Sequence, residues 1–420
     1  MHEPSANQRI SATAPTTPAT AEIVVGVPSC NHAATVAQVL RAAQAGLGEF
    51  LSGPSCLLVS ADVHSSDATR AQVRELRAEI PLLRELGTAD RGGDATSPGV
   101  EIRELRMILQ VAHQVQARAC LVLDASMTSM SADWVARLVR PILNEQFDLV
   151  TPCFARHKLD GAISNGIVYP LTRALYGKRV RQPLGSVFAL SGRLVERFLA
   201  RRVWDIDVSA LSTDARTVSE TICAELAVCQ ALLGPAEHAG SASPQDLSSV
   251  LATVLGSVFD EMNHNVSFWQ KVRGSEPVRW FGTPVEIADN PPPVDAHKMW
   301  ESFSLGCRTL QDVWSAVLPP ATLLALKYLA QDEAAAMPDD LWARIVYDFA
   351  LGYRLHVMNR GHLLRALTPL YLGWLATFVR EIGAAPSEDV ERRVQQLSLV
   401  YEAEKPYLIS RWRWPDRFNP

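Results

Sequence analysis

Residues 120–126 read Cys-Leu-Val-Leu-Asp-Ala-Ser, an apolar run that ends in a carboxylate and a hydroxyl. Short runs of Val, Ile and Leu are typical of strands that are buried on both faces of a parallel sheet. A helix is predicted directly before this strand, over residues 101–116, because apolar residues recur there at helical spacing. This strand and the polar residues at its carboxyl end are the centre of the predicted fold.

The alternation of strand and helix continues on the amino-terminal side of this stretch and for a short distance beyond it. Further strands are predicted at residues 23–28, 56–60 and 148–152, and helices at residues 35–45 and 67–78. Strands that alternate with helices of 10–15 residues predict an α/β fold with a parallel sheet covered by helices on both faces. Ligands of such sheets bind at the carboxyl ends of the strands, where residues 60–67 and 124–129 would form loops.

From about residue 247 the pattern becomes mainly helical. Helices are predicted over residues 250–263, 299–317, 322–329, 341–357, 362–382 and 387–401, and the proline-rich residues 282–294 are predicted to be a connector. Residues 1–21 are rich in Ser, Thr, Pro and Ala, which predicts a disordered tail. We therefore expect an α/β domain over residues 22–246 and a mainly helical C-terminal domain over residues 247–420.

Composition excludes several classes of protein. The formal net charge of −5 argues against a nucleic-acid-binding protein, which needs surplus cations to neutralise phosphates. The longest apolar run, residues 366–379, is only about 14 residues long and contains Pro369, so it predicts a buried helix rather than a membrane span. The first residues contain no apolar core of a secretory signal. A soluble protein is expected.

The cysteine pattern gives an expected location. The chain has seven cysteines at wide spacing and no Cys-x-x-Cys pair, so neither a disulfide framework nor a structural zinc site is predicted. Free thiols of this kind are typical of a reducing cytoplasm, and a cytoplasmic location is expected.

Three polar features could carry chemistry. Asp124 and Ser126 follow a buried strand, where a carboxylate can hold a divalent cation against a diphosphate or can simply cap the next turn. The polar loop of residues 60–69 could bond a base or ribose, or form a turn with Ser66 or Asp67 as a helix cap. His238, in a loop that we expect to follow an apolar helix, could complete a metal site with Asp124 or be an ordinary surface histidine.

Aromatic residues near the C-terminus have simpler interpretations. Trp374 and Phe378 stand at helical spacing, which predicts packing in the core. The tail at residues 411–414, Arg-Trp-Arg-Trp, could dock on a partner subunit or fold back on the chain.

Taken in order, the motifs resemble the nucleotide-sugar half of family 2-type glycosyltransferases with the GT-A fold. The similarity is greatest to the group of glucosyl-3-phosphoglycerate synthase and mannosylglycerate synthase. It rests on Pro-Ser-Cys-Asn at residues 28–31, the polar loop at 60–69, Asp-Ala-Ser at 124–126, Arg-His-Lys-Leu-Asp-Gly at 156–161, residues 165–176, and Arg-Gln-Pro-Leu-Gly at 181–185. It covers residues 23–243 and extends more loosely to residues 404–408.

The resemblance implies a function and a set of site residues. It implies transfer of a sugar, with retention of configuration, from a UDP-, GDP- or ADP-linked donor to a small hydroxylated acid such as glycerate or phosphoglycerate. It implies that Mg²⁺ or Mn²⁺ is held by Asp124, Ser126 and His238. The other site residues that it implies are Pro28, Asn31 and Asp62 around the nucleoside, Gln182, Leu184 and Gly185 around the sugar and acceptor, and Asp214 near the acceptor, with Asp124, Gln182 and Asp214 as the catalytic set.

Three charged positions of these relatives are changed here. Ser126 stands where relatives carry the second metal-binding carboxylate, Val100 where they carry a cation near the diphosphate, and Val187 where they carry an acidic residue. The alternative function is therefore a noncatalytic scaffold, regulator or partner subunit with the same fold. A homodimer formed through the apolar C-terminal helices is a further possibility, as is simple packing of these helices on the α/β domain.

Overall fold

The structure, a computed structural model, describes residues 20–51, 53–87, 100–200, 210–239, 246–285, 294–383 and 385–415. The predicted tail lies almost wholly outside these ranges, as does most of the predicted connector at residues 282–294.

The first half of the chain contains the predicted strands and helices, except the apolar helix expected before His238, and several more elements. Its elements are β1 (Ile23–Pro28), α1 (Val36–Phe50), β2 (Cys56–Ala61), α2 (Thr69–Glu79), β3 (Leu83–Leu86), α3 (Val100–Gln114), β4 (Ala119–Val122), α4 (Asp133–Glu145), β5 (Leu149–Ala155), a π-helical turn (Ser164–Val168), α5 (Tyr169–Tyr176), β6 (Lys178–Arg179), β7 (Phe188–Ser191), α6 (Gly192–Leu199), α7 (Ala210–Cys223) and β8 (Val228–Pro235). Because β4 ends at Val122, Asp124 lies just beyond the strand.

The second half is mainly helical, as predicted. Its elements are α8 (Leu247–His264), α9 (Val266–Trp269), β9 (Glu276–Pro277), β10 (Arg279–Phe281), α10 (Ala296–Thr309), α11 (Gln311–Ser315), α12 (Pro320–Leu329), α13 (Asp339–Leu355), α14 (Arg360–Ala366), α15 (Thr368–Ile382) and α16 (Ser387–Arg413). The single helix predicted over residues 362–382 is in fact two, because Pro369 begins a new helix rather than continuing one. The helix predicted over residues 299–317 is likewise divided into α10 and α11.

The main sheet is mixed rather than purely parallel. Its strand order is β10-β8-β5-β7-β4-β1-β2-β3, and β7 runs antiparallel to both of its neighbours, β4 and β5. The predicted parallel sheet thus contains one antiparallel strand, β7, that the sequence did not indicate. A strand of four residues carries too little periodicity to reveal its presence or its direction. The wider prediction, an α/β fold with a mainly helical C-terminal part, is confirmed.

One of the two described hydrophobic clusters contains residues from both halves of the chain. Strand β10 lies beyond the predicted boundary at residue 247, yet it pairs with β8 at the edge of the sheet. Helix α16 packs against α5, and α8 against α7. The division into two domains stays a prediction. In the described ranges, no helix combines the length and apolar character needed to cross a membrane.

The aromatic and basic tail folds back at its first two residues. Arg411 forms an ion pair with Asp348, and the Trp412 ring contacts Trp269 with 5.2 Å between ring centroids. Trp414, by contrast, is 70% exposed. Apolar side chains are also exposed on α10 and α12, at Leu305, Leu324 and Tyr328, and the homodimer stays a prediction.

The π-helical turn is packed so closely that only glycine fits at its centre. The carbonyl of Gly166 accepts hydrogen bonds from the Trp342 indole, at 2.9 Å, and from the Tyr401 hydroxyl, at 3.1 Å. A methyl group added at Gly166 would lie 2.2 Å from a ring carbon of Trp374. Trp374 cannot move aside easily because it is fully buried and stacked on Trp342 and Phe378. This confirms the predicted core position of Trp374 and Phe378.

Replacing Gly166 with alanine is expected to lower the free energy of unfolding by about 1–3 kcal/mol, the usual cost of overpacking a core. Urea denaturation measures the change. The control is Gly48→Ala, because Gly48 lies in α1 with nothing within 4 Å of the added methyl group. That variant should be about 0.5–1 kcal/mol more stable than the parent, since alanine favours the helix. Equal effects of the two substitutions would contradict the packing described.

Candidate functional site

A cavity of about 170 Å³ opens at the carboxyl ends of β1 and β4. Its walls come from the ends of these strands, one side of α3 and the residues before β7, and include Pro28, Cys30, Glu104, Asp124, Ser186 and Phe188. The Thr35 hydroxyl donates to the carbonyl of Ala125 at 2.6 Å, which joins the start of α1 to the loop after β4. The cavity therefore lies where the strand order predicted a ligand site.

Asp124 is the centre of a compact polar cluster at the cavity mouth. Its Oδ1 accepts hydrogen bonds from the backbone N–H of Ser126, at 2.8 Å, and from the Ser126 hydroxyl, at 2.6 Å. Its Oδ2 accepts one from the Ser186 hydroxyl at 2.5 Å. Burial raises the pKa of Asp124, but the hydrogen bonds from Ser126 and Ser186 outweigh it, and the pKa lies below its ordinary value. The carboxylate is therefore charged at neutral pH.

His238 stands beside this carboxylate. Its Nδ1 lies 3.0 Å from the Ser126 hydroxyl oxygen and 3.7 Å from Asp124 Oδ2. Ser126 has a single hydroxyl proton, which it donates to Asp124, so the second bond requires a proton on His238 Nδ1. The imidazole thus completes a hydrogen-bonded chain that ends on Asp124.

The backbone fixes His238 in this place. His238 follows the strand β8, not an apolar helix as the sequence predicted. Residues 228–235 are apolar enough for a helix or a strand. They form a strand because they pair with β5. Beyond β8 the chain bonds to the loop after β4: the N–H of Thr128 donates to the Glu237 carbonyl at 2.9 Å, and that of Ala239 to the Ser126 carbonyl at 2.8 Å. The structure thus brings together Asp124, Ser126 and His238, as the resemblance implied.

The cluster does not have the geometry of a serine hydrolase. In a Ser-His-Asp triad, the nucleophilic hydroxyl is hydrogen-bonded to one imidazole nitrogen and the orienting carboxylate to the other. Here the hydroxyl of Ser126 and the carboxylate of Asp124 both face His238 Nδ1. The Ser126 hydroxyl donates to Asp124, whose lowered pKa makes it a weak base, and not to the imidazole.

The donor atoms fit a divalent cation only in part. They comprise one carboxylate, one imidazole and the hydroxyls of Ser126 and Ser186. Across the described ranges there is no group of three or more His, Cys, Asp or Glu side chains that could hold a metal ion. Mg²⁺ and Mn²⁺ can be held by one or two carboxylates when phosphate oxygens and waters supply the remaining ligands. The residues therefore fit a cation that shares a bound diphosphate.

The residues predicted around the nucleoside form the loops after β1 and β2. Asn31 has a positive φ of 58°, and its side-chain oxygen accepts a hydrogen bond from the Ser66 N–H at 2.9 Å. Asp62 is buried, pairs with Arg70 at 3.3 Å and accepts from the Ser65 N–H at 2.9 Å. Asn31 thus joins the two loops, whereas the contacts of Asp62 lie within its own loop and the start of α2. Pro28 lines the cavity itself, whereas Asn31 and Asp62 are not among its lining residues.

The prediction that Ser66 or Asp67 caps the next helix was wrong, because the N-cap of α2 is Ala68 and no side chain caps the helix there. Asp67 Oδ1 accepts a hydrogen bond from the N–H of Thr69, the first residue of α2, at 3.0 Å. Its Oδ2 accepts one from the N–H of Ala33 at 3.1 Å. Asp67 therefore ties the start of α2 to the loop after β1.

Gln182 has both ends of its amide engaged with the backbone of Phe154. Its Oε1 accepts from the Phe154 N–H at 3.1 Å, and its Nε2 donates to the Phe154 carbonyl at 2.8 Å. The side chain thus extends the edge of β5, and it does not line the cavity. Leu184 and Gly185 are partly buried, and a methyl group at Gly185 would lie 3.5 Å from Pro152.

Replacing Gln182 with methionine is expected to lower the free energy of unfolding by about 2 kcal/mol, because it leaves a buried N–H and C=O of Phe154 without partners. Chemical denaturation measures this loss. Gln114→Met, at an exposed position at the end of α3, is the control and should change stability by less than about 0.5 kcal/mol. Unchanged stability in Gln182→Met would show that the amide is held for another purpose.

One predicted site position and one changed position can be placed only in part. Asp214 lies within α7 and Val100 is the first residue of α3, but their side chains lie outside the described part of the chain. Val187 is fully buried. Its neighbour Ser186, which sequence reasoning missed, is the residue that contacts Asp124.

Comparisons with known proteins give structural similarity alone. No family model matches the sequence, and a search of curated proteins gives no match. Solved structures of glucosyl-3-phosphoglycerate synthase from Mycobacterium tuberculosis are similar. The complex with Mn²⁺, UDP-glucose and phosphoglyceric acid has 18% identity and a TM-score of 0.42, over 58% of this chain and 80% of that chain. The complex with Mg²⁺ and UDP has 19% identity and a TM-score of 0.41 over the same shares.

Proposed function

We propose that this protein transfers a sugar from a nucleoside diphosphate donor to a small hydroxylated acid. One observation carries the proposal: Asp124 and His238, 114 positions apart in the sequence, meet at the mouth of a cavity formed by the carboxyl ends of two sheet strands. The order of the sequence motifs supports the same activity. The nucleoside would lie against Pro28 and the interlocked loops after β1 and β2.

The polar cluster would face the diphosphate. Asp124 and His238 would hold Mg²⁺ or Mn²⁺, whose contribution is to neutralise charge on the departing diphosphate. Ser126 orients both residues, because its backbone and hydroxyl bond Asp124 while its oxygen faces His238. For a cation to bind at His238 Nδ1, that nitrogen must give up its hydrogen bond to Ser126.

Among the described residues that line the cavity, neither carboxylate is placed to form a covalent sugar intermediate. Among its described lining residues the carboxylates are Asp124, held by two serines, and Glu104, whose Oε1 accepts a hydrogen bond from the Val63 N–H at 3.1 Å. We propose front-face displacement. The acceptor hydroxyl oxygen bonds to the anomeric carbon as the bond to the diphosphate oxygen breaks, and the hydroxyl proton passes to that leaving oxygen. This route retains the anomeric configuration.

For the donor and the acceptor, we propose only the chemical class. UDP-glucose with phosphoglyceric acid is the first pair to test, because these are the ligands named for the similar structure. Asp214 stays a predicted residue near the acceptor, and Gln182 a predicted catalytic residue whose contacts favour a structural role.

A transfer assay tests the proposal. The protein is incubated with UDP-, GDP- or ADP-glucose, with glycerate or 3-phosphoglycerate, and with or without Mn²⁺. Release of nucleoside diphosphate and the mass of the glycosylated acid are measured. We expect one donor to give an acceptor-dependent product that requires the metal. Absence of product and of donor hydrolysis with every pair would contradict the proposal.

A noncatalytic role is the second candidate, favoured by the single carboxylate at Asp124. A scaffold or regulator with a remnant pocket would bind a nucleoside diphosphate without turning over its sugar ester. The same assay, combined with a binding measurement, distinguishes the two functions.

A further inference from the structure

We propose that a second cavity, formed by the C-terminal helices, binds an uncharged polyhydroxylated ligand of the sugar class. This cavity has a volume of about 530 Å³, and its walls come from α10, the residues that follow α12 and the end of α15. The volume lies within the range of roughly 300–1,000 Å³ that is usual for small-molecule sites. Among the described residues, none lines both this cavity and the one at Asp124. The ligand therefore need not be a substrate of the sugar transfer proposed above.

One face of α10 forms a wall of this cavity. His297, Trp300, Glu301, Ser304 and Arg308 all line it, and they stand at positions i, i+3, i+4, i+7 and i+11 of the helix. Residues at this spacing share one side of a helix. At about 1.5 Å per residue the stripe is about 16 Å long, which exceeds one sugar ring and suits a disaccharide.

The charged side chains that line the cavity balance one another. Two carboxylates, Glu301 and Glu333, are matched by two guanidiniums, Arg308 and Arg380. An anion placed here is repelled by both carboxylates, and a cation by both guanidiniums, so neither gains from the lining as a whole. An uncharged ligand meets no such conflict. The balance of charge is the reason for assigning a neutral ligand to the cavity.

The two carboxylates keep acceptor oxygens available to a ligand. His297 lies between them, with its Nδ1 3.8 Å from Glu301 Oε1 and its Nε2 3.6 Å from Glu333 Oε2. Both distances are too long for a hydrogen bond. In the part of the chain that the structure describes, neither carboxylate accepts a hydrogen bond from any other side chain or backbone N–H. Ligand hydroxyls can donate to these oxygens, and hydrogen bonds to a charged acceptor are the strong ones.

Donors to a ligand are available as well. Arg308 and Gln331 are exposed and line the cavity, and both side chains carry N–H groups. The indole N–H of Trp300 is buried and has no partner among the described residues. A sugar hydroxyl donates one hydrogen bond and accepts others, so it can pair with these donors as well as with the carboxylates.

Arg380 joins α15 to the two other walls and holds the cavity in shape. It donates to the carbonyl of Glu333 at 2.7 Å and to that of Ala335 at 2.6 Å, which fixes the segment after α12. Its guanidinium also lies over the ring of Trp300, 4.8 Å from the centroid. Because these contacts exist without a ligand, binding does not require the walls to be ordered first.

Isothermal titration calorimetry of the full-length protein with glucose, maltose and trehalose tests the inference. We expect saturable binding of at least one disaccharide. Glu301→Ala should weaken that binding at least tenfold, because a hydrogen bond to a charged group is worth about that factor or more. Glu75→Ala, at an exposed position of α2, is the matched control and should leave the affinity unchanged. Asp124→Ala should also leave it unchanged, since Asp124 lines the other cavity.

The absence of binding by all three sugars would overturn the inference. Binding that survives Glu301→Ala, or that is lost in Asp124→Ala, would overturn it too, because the sugar would then lie elsewhere. Tighter binding of glucuronate or glucosamine than of the neutral sugars would contradict the assignment of an uncharged ligand. Glu301→Ala should retain the parent rate of sugar transfer, so failure of the proposed function leaves the binding result unaffected. The circular dichroism of each variant confirms that it is folded.

Discussion

Replacing Asp124 with alanine is expected to lower kcat/KM for sugar transfer by about 10²–10³-fold, the usual effect of removing one preorganised group that stabilises charge in a transition state. Asp124 is the one carboxylate of the polar cluster, and it carries the hydrogen bonds of Ser126 and Ser186. Ser126→Ala should lower kcat/KM much less. In that variant Asp124 keeps its charge, the hydrogen bond from the backbone N–H of residue 126 and the hydrogen bond from Ser186.

Initial rates of nucleoside diphosphate release measure the decrease in kcat/KM for both variants. Asp133→Ala is the matched control, because Asp133 pairs with Arg137 at the start of α4 at 2.7 Å and does not line the cavity. It should retain the parent rate. Small and equal losses for Asp124→Ala and Ser126→Ala would contradict the site.

The second large effect is expected on stability, at the buried ion pair between α13 and α16. Asp348 and Arg411 are almost fully buried, 3.1 Å apart, and the Tyr407 hydroxyl also donates to Asp348 at 2.8 Å. Asp348→Ala leaves the Arg411 guanidinium buried without its carboxylate, which typically costs about 3–5 kcal/mol of unfolding free energy. Replacing both residues, as Asp348→Leu with Arg411→Met, should recover most of that loss.

Urea unfolding at neutral pH measures these changes. Glu79→Ala is the matched control, because Glu79 pairs with Arg41 at 3.0 Å on the exposed surface, and it should cost less than about 1 kcal/mol. If Asp348→Ala cost no more than Glu79→Ala, the ion pair would not be the buried one described.

The same carboxylate predicts a pH dependence. Burial raises the pKa of Asp348 to about 6 from 3.8, with Arg411 opposing the shift. The folded state therefore holds this proton more tightly than the unfolded chain. The resulting stabilisation is complete below the unfolded pKa and is lost as the pH rises through about 6. Asp348→Asn should remove this component of the pH profile, measured as unfolding free energy between pH 4 and 7.

The sequence predicts the positions of the long elements and the edge of the sheet where the cavity lies. Apolar runs locate β1, β2, β4 and β5, and the carboxylate after β4 marks the cluster. From the residues alone, contact between Asp124 and His238 was one of two open interpretations, and only the family resemblance favoured it, since no local pattern connects residues so distant along the chain. The structure brings them together through the backbone bonds between the loops after β4 and β8.

Two features of the site could not be predicted because they depend on strand direction and pairing. Ser186 reaches Asp124 only because β7 is antiparallel, and a four-residue strand gives no signal of its direction. The residues before His238 form β8 because they pair with β5, although their composition also suits a helix. Gln182 was predicted to be catalytic, but a sequence does not reveal that a neighbouring backbone needs both ends of its amide.

The most direct test is the thermal stability of the protein with UDP, GDP or ADP, each with and without Mn²⁺, in the parent and in Asp124→Asn. A ligand at 100 times its Kd stabilises the folded state by about 2.7 kcal/mol. We expect a rise in Tm with one nucleotide that requires Mn²⁺ and is lost in Asp124→Asn. No rise with any nucleotide, or a rise that is the same in Asp124→Asn, would contradict it.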